Sequence, residues 1–373
     1  MERKKVLVLH GKSGMGHTIV AKALLEVFSK KYPEVEIKDA DAFDFLYWPL
    51  RQGYLYFYNN FVDKAPFLFK MLYDSYSNEI IRKFFERVAL FFVKKPQFIS
   101  FVKSFSPDFI LATNPLPLQL TSLIEEKHII DILSANVCTD FGFHSLWHSP
   151  DINYYFVANQ GVKQSLVDCG VSPDKIKITG IPVRPEFYQP LNRNKILRDI
   201  GFNFLQPVLL ILGGQLKYND LLKVVLGIQK KNNLVQFIVI AGRDKNLQNK
   251  LENSELKKNT AVRIFGIVAD MERFMEASDL ILSKAGGSTV AECLAKALPM
   301  IVYKIIPGQE EDNVNYLIEN GAGTKVESAK EVIKAVVDLF SRPEKLKKMK
   351  ENCLKIQKPN SAEDIADFVI SQI

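Results

Sequence analysis

At 373 residues the chain is long enough for about two domains. Its 47% hydrophobic and 24% charged residues exclude wholesale disorder, and no apolar run approaches the roughly 18 residues that cross a bilayer. The net charge of +7 is compatible with anionic lipid, nucleotide or RNA and by itself selects none of them. Residues 1–5 lead straight into a strand pattern with no signal-peptide core, and the four cysteines (Cys138, Cys169, Cys293, Cys353) contain no CxxC pair. Both features predict a cytoplasmic protein with free thiols, not a disulfide framework or a zinc ribbon.

Lys5 to Leu9 reads as a strand. A glycine-rich turn, Gly11 to Gly16, and a helical pattern (Ile19, Val20, Ala23, Leu24, Val27, Phe28) follow it. Strand, glycine turn and helix open a doubly wound sheet. Further strands are predicted at Val35 to Ala40, Phe109 to Thr113, Ile129 to Leu133 or its continuation to Thr139, Tyr154 to Ala158 and Lys175 to Thr179. Gly180 to Phe187 is Pro-containing and ends this half. A second series runs through Pro207 to Leu212, Val235 to Ala241, Val262 to Phe265, Leu280 to Ser283, Met300 to Tyr303 and Thr324 to Val326, with helical stretches between. The pattern is α/β: two Rossmann-like domains facing a cleft, residues 1–185 and 186–360, with a C-terminal helix at 361–373 packing back on the first.

The first half contains an unusual segment. Twenty aromatic residues fall between Phe43 and Phe105, with nine Lys/Arg against five Asp/Glu. The stretch Ile80 to Lys95 has an apolar stripe wider than a core helix needs, flanked by cations. Two readings stand: a segment lying in a bilayer interface, or an aromatic-rich core insert.

Ligands of such sheets sit beyond the carboxyl ends of the strands, so the loops there carry the candidate chemistry. Ser283-Lys284-Ala285-Gly286-Gly287-Ser288-Thr289 joins a strand to a helix, and free N–H groups at such a start make a diphosphate site; an ordinary Gly-Ser cap is the alternative. Glu292, one turn on, offers a carboxylate to a ribose diol or simply complements the helix dipole. Pro307 to Asn313 supplies an amide and carboxylates suited to sugar hydroxyls, or is a solvated acidic loop. Gly11-Lys12-Ser13-Gly14-Met15-Gly16-His17 contains GKS, but Val6 stands where a P-loop needs its first glycine, and the spacing is not G-x-G-x-x-G. It places His17 at a helix start, where an imidazole can act as a general base or be an ordinary surface histidine. Asp140, His144 and His148 are spaced by four, as metal ligands on a helix would be, but Gly142 and Pro150 predict a loop. Asp39-Ala40-Asp41 is a DxD, a pattern frequent by chance.

Taken together, these loops resemble the monogalactosyldiacylglycerol synthase and processive diacylglycerol glucosyltransferase family, inverting glycosyltransferases of the GT-B fold. The resemblance covers nearly the whole chain. Its most specific part is Lys284 to Glu292 with Pro307 to Asn313, followed by Thr139-Asp140-Phe141 with His144 and Trp147, and Thr179 to Val183. Ser13 to His17 looks like the family's Gly-Gly-Gly-His loop, with Met15 in place of a glycine.

The resemblance implies roles residue by residue. Gly286, Gly287, Ser288 and Thr289, with Lys284, would hold the diphosphate of UDP-glucose or UDP-galactose. Glu292 would bind the ribose, and Gln309, Glu310 and Asn313 the hexose. Gly213, Gly214, Arg243 and Val268 would line the nucleotide pocket. His17, with Asp140 in reserve, would deprotonate the sn-3 hydroxyl of diacylglycerol, giving a β-linked glycolipid. Gly14, Met15, Gly16, His144 and Trp147 would form the acceptor loops. No cofactor or essential divalent metal and no nucleic acid partner is expected. Residues 43–105 would contact an anionic membrane surface, peripherally on the inner face of the cell membrane. The alternatives are another lipid-linked acceptor of envelope synthesis, a nucleotide-sugar epimerase, or a non-catalytic nucleotide- or lipid-binding membrane protein. The choice of hexose and the oligomeric state are not legible.

Overall fold

The computed structural model describes residues 3–11, 15–53, 65–126, 130, 132–213 and 216–373. Six parallel strands form the first sheet: β1 (Lys5–His10), β2 (Glu36–Asp41), β3 (Phe109–Ala112), β4 (Leu133–Val137), β5 (Tyr154–Val157) and β6 (Ile176–Ile178), in the order β2-β1-β3-β4-β5-β6. Six more form the second: β7 (Val208–Leu212), β8 (Gln236–Ile240), β9 (Val262–Phe265), β10 (Leu280–Ser283), β11 (Met300–Tyr303) and β12 (Gly323–Val326), in the order β12-β11-β10-β7-β8-β9. The central strands are runs of Val, Leu and Ile that are buried on both faces, as parallel sheets covered by helices require. The fourth strand takes the continuation from Leu133, so Ile130 and Ile132 precede it.

The helices of the first lobe are α1 (Met15–Lys31), α2 (Pro66–Ser75), α3 (Glu79–Phe91), α4 (Lys95–Phe105), α5 (Pro115–Glu126) and α6 (Gln160–Asp168). Those of the second are α7 (Arg193–Asp199), α8 (Tyr218–Lys231), α9 (Lys245–Glu252), α10 (Met271–Glu276), α11 (Gly287–Ala295), α12 (Glu311–Glu319), α13 (Ala329–Ser341) and α14 (Pro343–Ile356), before the last helix, α15 (Ser361–Gln372). Local chemistry sets many starts. Asn159, Asn192, Asp244 and Ser328 each accept a hydrogen bond from a first-turn N–H, and proline opens α2, α4 and α14.

In each sheet the chain reverses its direction of growth once, between β1 and β3 in the first and between β7 and β10 in the second. A crevice opens at such a switch point, so the loops after β1, β3, β7 and β10 are the places where a ligand is held.

The aromatic segment divides. Phe43, Leu46, Val93, Phe98, Val102 and Phe105 are buried against Leu7, Leu9 and Ile110 on one face of the first sheet. Trp48, Phe67, Ile80, Phe84 and Phe91 are more than 60% exposed. One part of the segment is therefore core and another is open apolar surface; residues 54–64 lie outside the described residues.

α15 follows the second lobe in sequence but packs on the first. Ile365, Ala366 and Val369 are buried in the cluster that also holds Val20, Leu24 and Phe28 of α1. Asp367 accepts hydrogen bonds from Tyr32 and Lys31, and Phe368 sets its ring edge-on to Tyr154 and Phe156. Ile365→Ala should therefore cost about 2–5 kcal/mol in urea unfolding. An unchanged midpoint would show that this helix is not part of the core.

Candidate active site

β1 ends at His10, and α1 starts at Met15, which puts His17 in the first turn of α1. Its Nδ1 lies 2.9 Å from Thr139 Oγ1, and Trp147 stands 6.0 Å away, ring to ring. The Thr113 backbone is the other hydrogen-bonding neighbour of the ring. Burial holds the imidazole pKa down at about 4, partly opposed by the Thr113 backbone and reinforced by His10. His17 is therefore neutral at pH 7, with one nitrogen oriented by Thr139 and the other able to accept a proton.

Across the lobe junction, α11 begins with no side-chain cap, and the N–H groups of Gly287, Ser288 and Thr289 have no acceptor among the described residues. Those three groups form the positive end of the helix, the arrangement that attracts an anion, with Gly287 and Ser288 buried against the first lobe. Gly287 has no room for a side chain: a Cβ would lie 1.9 Å from the Thr139 carbonyl oxygen. A Cβ on Gly16 would come 3.0 Å from Ser288 Oγ, so the starts of α1 and α11 meet.

Glu292 is 7% exposed; its backbone carbonyl accepts from the Lys296 N–H, and its side chain makes no hydrogen bond among the described residues. Burial raises its pKa to about 8, while Arg184, itself paired with Glu272 at 2.8 Å, pulls it down. A buried carboxyl without a partner is costly, and a diol would supply the missing hydrogen bonds. Lys284 Nζ sits 2.6 Å from Glu310 Oε1, and the other Glu310 oxygen accepts from the Ile306 N–H at 3.0 Å. Gln309 is half-buried in the same loop.

Asn313 has no exposed surface and bridges the lobes. It accepts from the Phe141 N–H at 2.6 Å and donates to Asp140 Oδ1 at 3.0 Å and to the Ala285 carbonyl at 2.9 Å. Phe141 stacks on Tyr316 at 4.6 Å beside it. With both amide hydrogens used, Asn313 joins the lobes in this arrangement and does not face open space. Asp140 likewise turns to Asn313; the side chain that contacts His17 is Thr139. Burial raises the Asp140 pKa to about 6, and the Asn313 hydrogen bond lowers it.

Gly213, Arg243 and Val268 follow β7, β8 and β9 on the same sheet edge: Gly213 is buried, Arg243 exposed and Val268 half-buried. Gly14 and Gly214 lie outside the described residues, and Met15 is placed only as the first residue of α1.

His144 is not aligned with His148 on a helix, since residues 138–150 form a loop with one short turn at Ser145–Trp147. Its Nε2–H donates to the Tyr73 carbonyl at 2.9 Å and its Nδ1 accepts from the Leu146 N–H at 3.2 Å. Burial lowers its pKa, partly opposed by the hydrogen bond to the Tyr73 backbone. Asp39 pairs with His10 at 3.1 Å, and Asp41 caps the following turn through the Phe43 N–H. Among the described residues, no group of three or more His, Cys, Asp or Glu is placed to hold a metal ion.

Sequence reasoning missed Thr139 as the partner of His17 and Tyr73 as the partner of His144. Thr139 stood in the sequence as the end of a strand and the first residue of the Thr139-Asp140-Phe141 motif, with no sign of its partner; Tyr73 had no local signal at all. Gly287→Ala tests the junction. The new methyl should force the lobes apart and raise the radius of gyration in small-angle scattering. A scattering curve identical to that of the unaltered chain would contradict the contact.

A family model described as monogalactosyldiacylglycerol (MGDG) synthase matches residues 17–183, and one described as glycosyltransferase family 28 C-terminal domain matches residues 208–367. Monogalactosyldiacylglycerol synthase 3, chloroplastic, of Arabidopsis thaliana is 31% identical over 379 residues, covering 97% of this chain and 80% of that protein. The processive diacylglycerol beta-glucosyltransferase of Bacillus subtilis (strain 168) is 28% identical over 383 residues, covering 99% and 95%. Among solved structures, the glycotransferase of kitacinnamycin matches with a TM-score of 0.65 at 13% identity, covering 100% of both chains. That likeness concerns the fold, and the two six-stranded lobes are those of the GT-B architecture. The chain belongs to the monogalactosyldiacylglycerol synthase family, and it is a glycosyltransferase.

Proposed function

We propose that the enzyme transfers a hexose from a UDP-sugar to the sn-3 hydroxyl of diacylglycerol with inversion, giving a β-linked glycolipid. The observation that carries this reading is one juxtaposition. The uncapped start of α11 meets the start of α1, so a neutral histidine stands beside three N–H groups without acceptors among the described residues. Relatives that share most of the chain's length are named for synthesis of monogalactosyldiacylglycerol and for diacylglycerol glucosylation, which supports this donor and acceptor class.

His17 Nε2 takes the acceptor proton as the acceptor oxygen bonds to the anomeric carbon. The bond from that carbon to the β-phosphate oxygen breaks on the opposite face. The N–H groups of Gly287, Ser288 and Thr289 take up the charge that develops on the departing diphosphate, a role that needs no divalent ion. Thr139 keeps the imidazole tautomer in place, and Glu292 receives the ribose hydroxyls. Gln309 and Glu310, beside Lys284, are the groups nearest the hexose. The assay is a panel of labelled UDP-sugars with diacylglycerol, resolved by thin-layer chromatography in the presence of EDTA. A labelled glycolipid is expected; labelled product only on a polyprenyl-diphosphate acceptor, or sugar interconversion without lipid, would overturn the reading.

His17→Ala should lower kcat by ~10²–10⁴-fold with donor affinity retained, as loss of a general base does. In the unaltered enzyme, kcat/KM should stay flat from neutral pH downward and fall on a limb near the His17 pKa of about 4. The sign follows from the base being active only when unprotonated. A limb near the Asp140 value of about 6 would transfer the role to that residue.

The acceptor is membrane-borne, and the exposed part of the aromatic segment is suited to reach it. Ile80, Phe84, Val88 and Phe91 share one face of α3, 38–80% exposed, with Lys83 and Arg87 between them. Among the described residues no helix is long and apolar enough to cross a membrane. This reading places the enzyme peripherally on an anionic surface, the inner face of the cell membrane. Cosedimentation with phosphatidylglycerol-containing vesicles should be strong at low salt and reduced in Phe84→Ser/Phe91→Ser. Absence of binding by the unaltered enzyme at low salt would reject it.

A further inference from the structure

The chain leaves β11 at Lys304 with a φ of +62°, a left-handed backbone that suits glycine and is uncommon for other residues. Such conformations persist where the surroundings hold them, and they gather at binding sites. The register gives this one its place. Ser283 of β10 pairs with Val302 of β11, so Ala285 and Lys304, each two residues further on, leave the sheet side by side. Lys304 therefore borders the loop that leads into α11.

Its ammonium is loosely held. Nζ lies over the Tyr303 ring, 5.3 Å from the centroid, and 3.6 Å from Asp220 Oδ2. That separation exceeds hydrogen-bond distance, and the two side chains keep 45% and 25% of their surface exposed. Such a pair contributes little to stability. Asp220 sits in the first turn of α8, which follows β7, and β7 and β11 flank β10 on opposite sides. The pair thus reaches from one flank of the diphosphate strand to the other. Lys284, by contrast, is bound at 2.6 Å to the buried carboxylate of Glu310. Of these two cations at the end of the sheet, Lys304 is the one whose partner an incoming phosphate can replace, with a shorter, charge-assisted hydrogen bond in exchange.

We propose that Lys304 is a donor-binding residue: when the UDP-sugar arrives, its ammonium exchanges Asp220 for the β-phosphate. It holds that phosphate more strongly as the bond to the anomeric carbon breaks and negative charge builds on the departing oxygen. The proposal rests on the diphosphate assignment of the preceding section. It adds one full positive charge to the partial charges at the start of α11, where the leaving group needs it. Asp220 keeps the ammonium in place in the free enzyme and competes with the phosphate for it.

The test uses the full chain in EDTA, with UDP and UMP as probes and calorimetry at low salt. Lys304→Gly suits the left-handed backbone and removes the ammonium. It should weaken UDP binding by about 10-fold or more, as loss of a hydrogen bond to a charged group does, and leave UMP, which has no β-phosphate, nearly unchanged. Lys304→Arg should retain most of the UDP affinity. Asp220→Asn removes the competitor and should bind UDP at least as tightly as the unaltered chain. With UDP-sugar and diacylglycerol, Lys304→Gly should also lower kcat, because the contact is stronger in the transition state than in the bound donor. Equal losses for UDP and UMP in Lys304→Gly, or no loss for either, would refute the phosphate contact. A loss of UDP affinity in Asp220→Asn that matches the loss in Lys304→Gly would show that the pair only braces the lobe, and would refute it as well. If the unaltered chain binds no UDP, or binds UMP as tightly as UDP, the diphosphate assignment beneath the proposal fails, a distinguishable result.

Discussion

Asn313 uses one amide group to hold two lobes together. Its two N–H bonds reach Asp140 in the first lobe and Ala285 in the second, and its oxygen takes the Phe141 N–H. Asn313 itself has no exposed surface, so its amide has no route to water. Removing the amide would leave buried donors and acceptors unpaired, at about 1–3 kcal/mol each. The joint also fixes distance. It brings the Thr139 carbonyl so close to Gly287 that no other residue fits there. The contact of α1 with α11 belongs to the same approach, whereas Thr139 beside His17 lies within the first lobe and Glu310 beside Lys284 within the second.

Burial at this junction acts in opposite directions on different groups. It lowers the pKa of His17 and raises those of Asp140 and Glu292, because in each case the charged form is the one that loses its water. The outcome is a site with few formal charges of its own beside a helix start rich in positive partial charge. A ligand that brings negative charge and hydroxyl groups complements such a site; a cationic one does not. The same exclusion of water strengthens each hydrogen bond to a developing charge.

All twelve strands were legible in the sequence, the central ones because parallel strands buried on both faces must be runs of Val, Leu and Ile. The ambiguity at Ile129 to Thr139 arose where two such runs abut. The glycine loops were legible for a related reason: Gly286-Gly287 before a helical pattern implies close backbone approach. What approaches was not legible, since Thr139 lies nearly 150 residues away in the chain. At Asp140, His144 and His148 the period of four was outweighed by Gly142 and Pro150, and the loop they predict is the one observed, with His144 holding Tyr73. Asn313 reads locally as a sugar-binding amide, and its role between the lobes depends on partners that only the tertiary structure supplies. The aromatic segment gave two readings from one composition. Composition does not say which face of a helix meets the sheet, and here Phe98 and Phe84 answer differently.

The most direct measurement is a crystal structure of the chain with UDP bound. The account predicts phosphate oxygens on the N–H groups of Gly287, Ser288 and Thr289, ribose hydroxyls on the Glu292 carboxylate, and His17 on the opposite side of the phosphate chain. A nucleotide seated elsewhere, or one that leaves those three N–H groups without an acceptor, would contradict it.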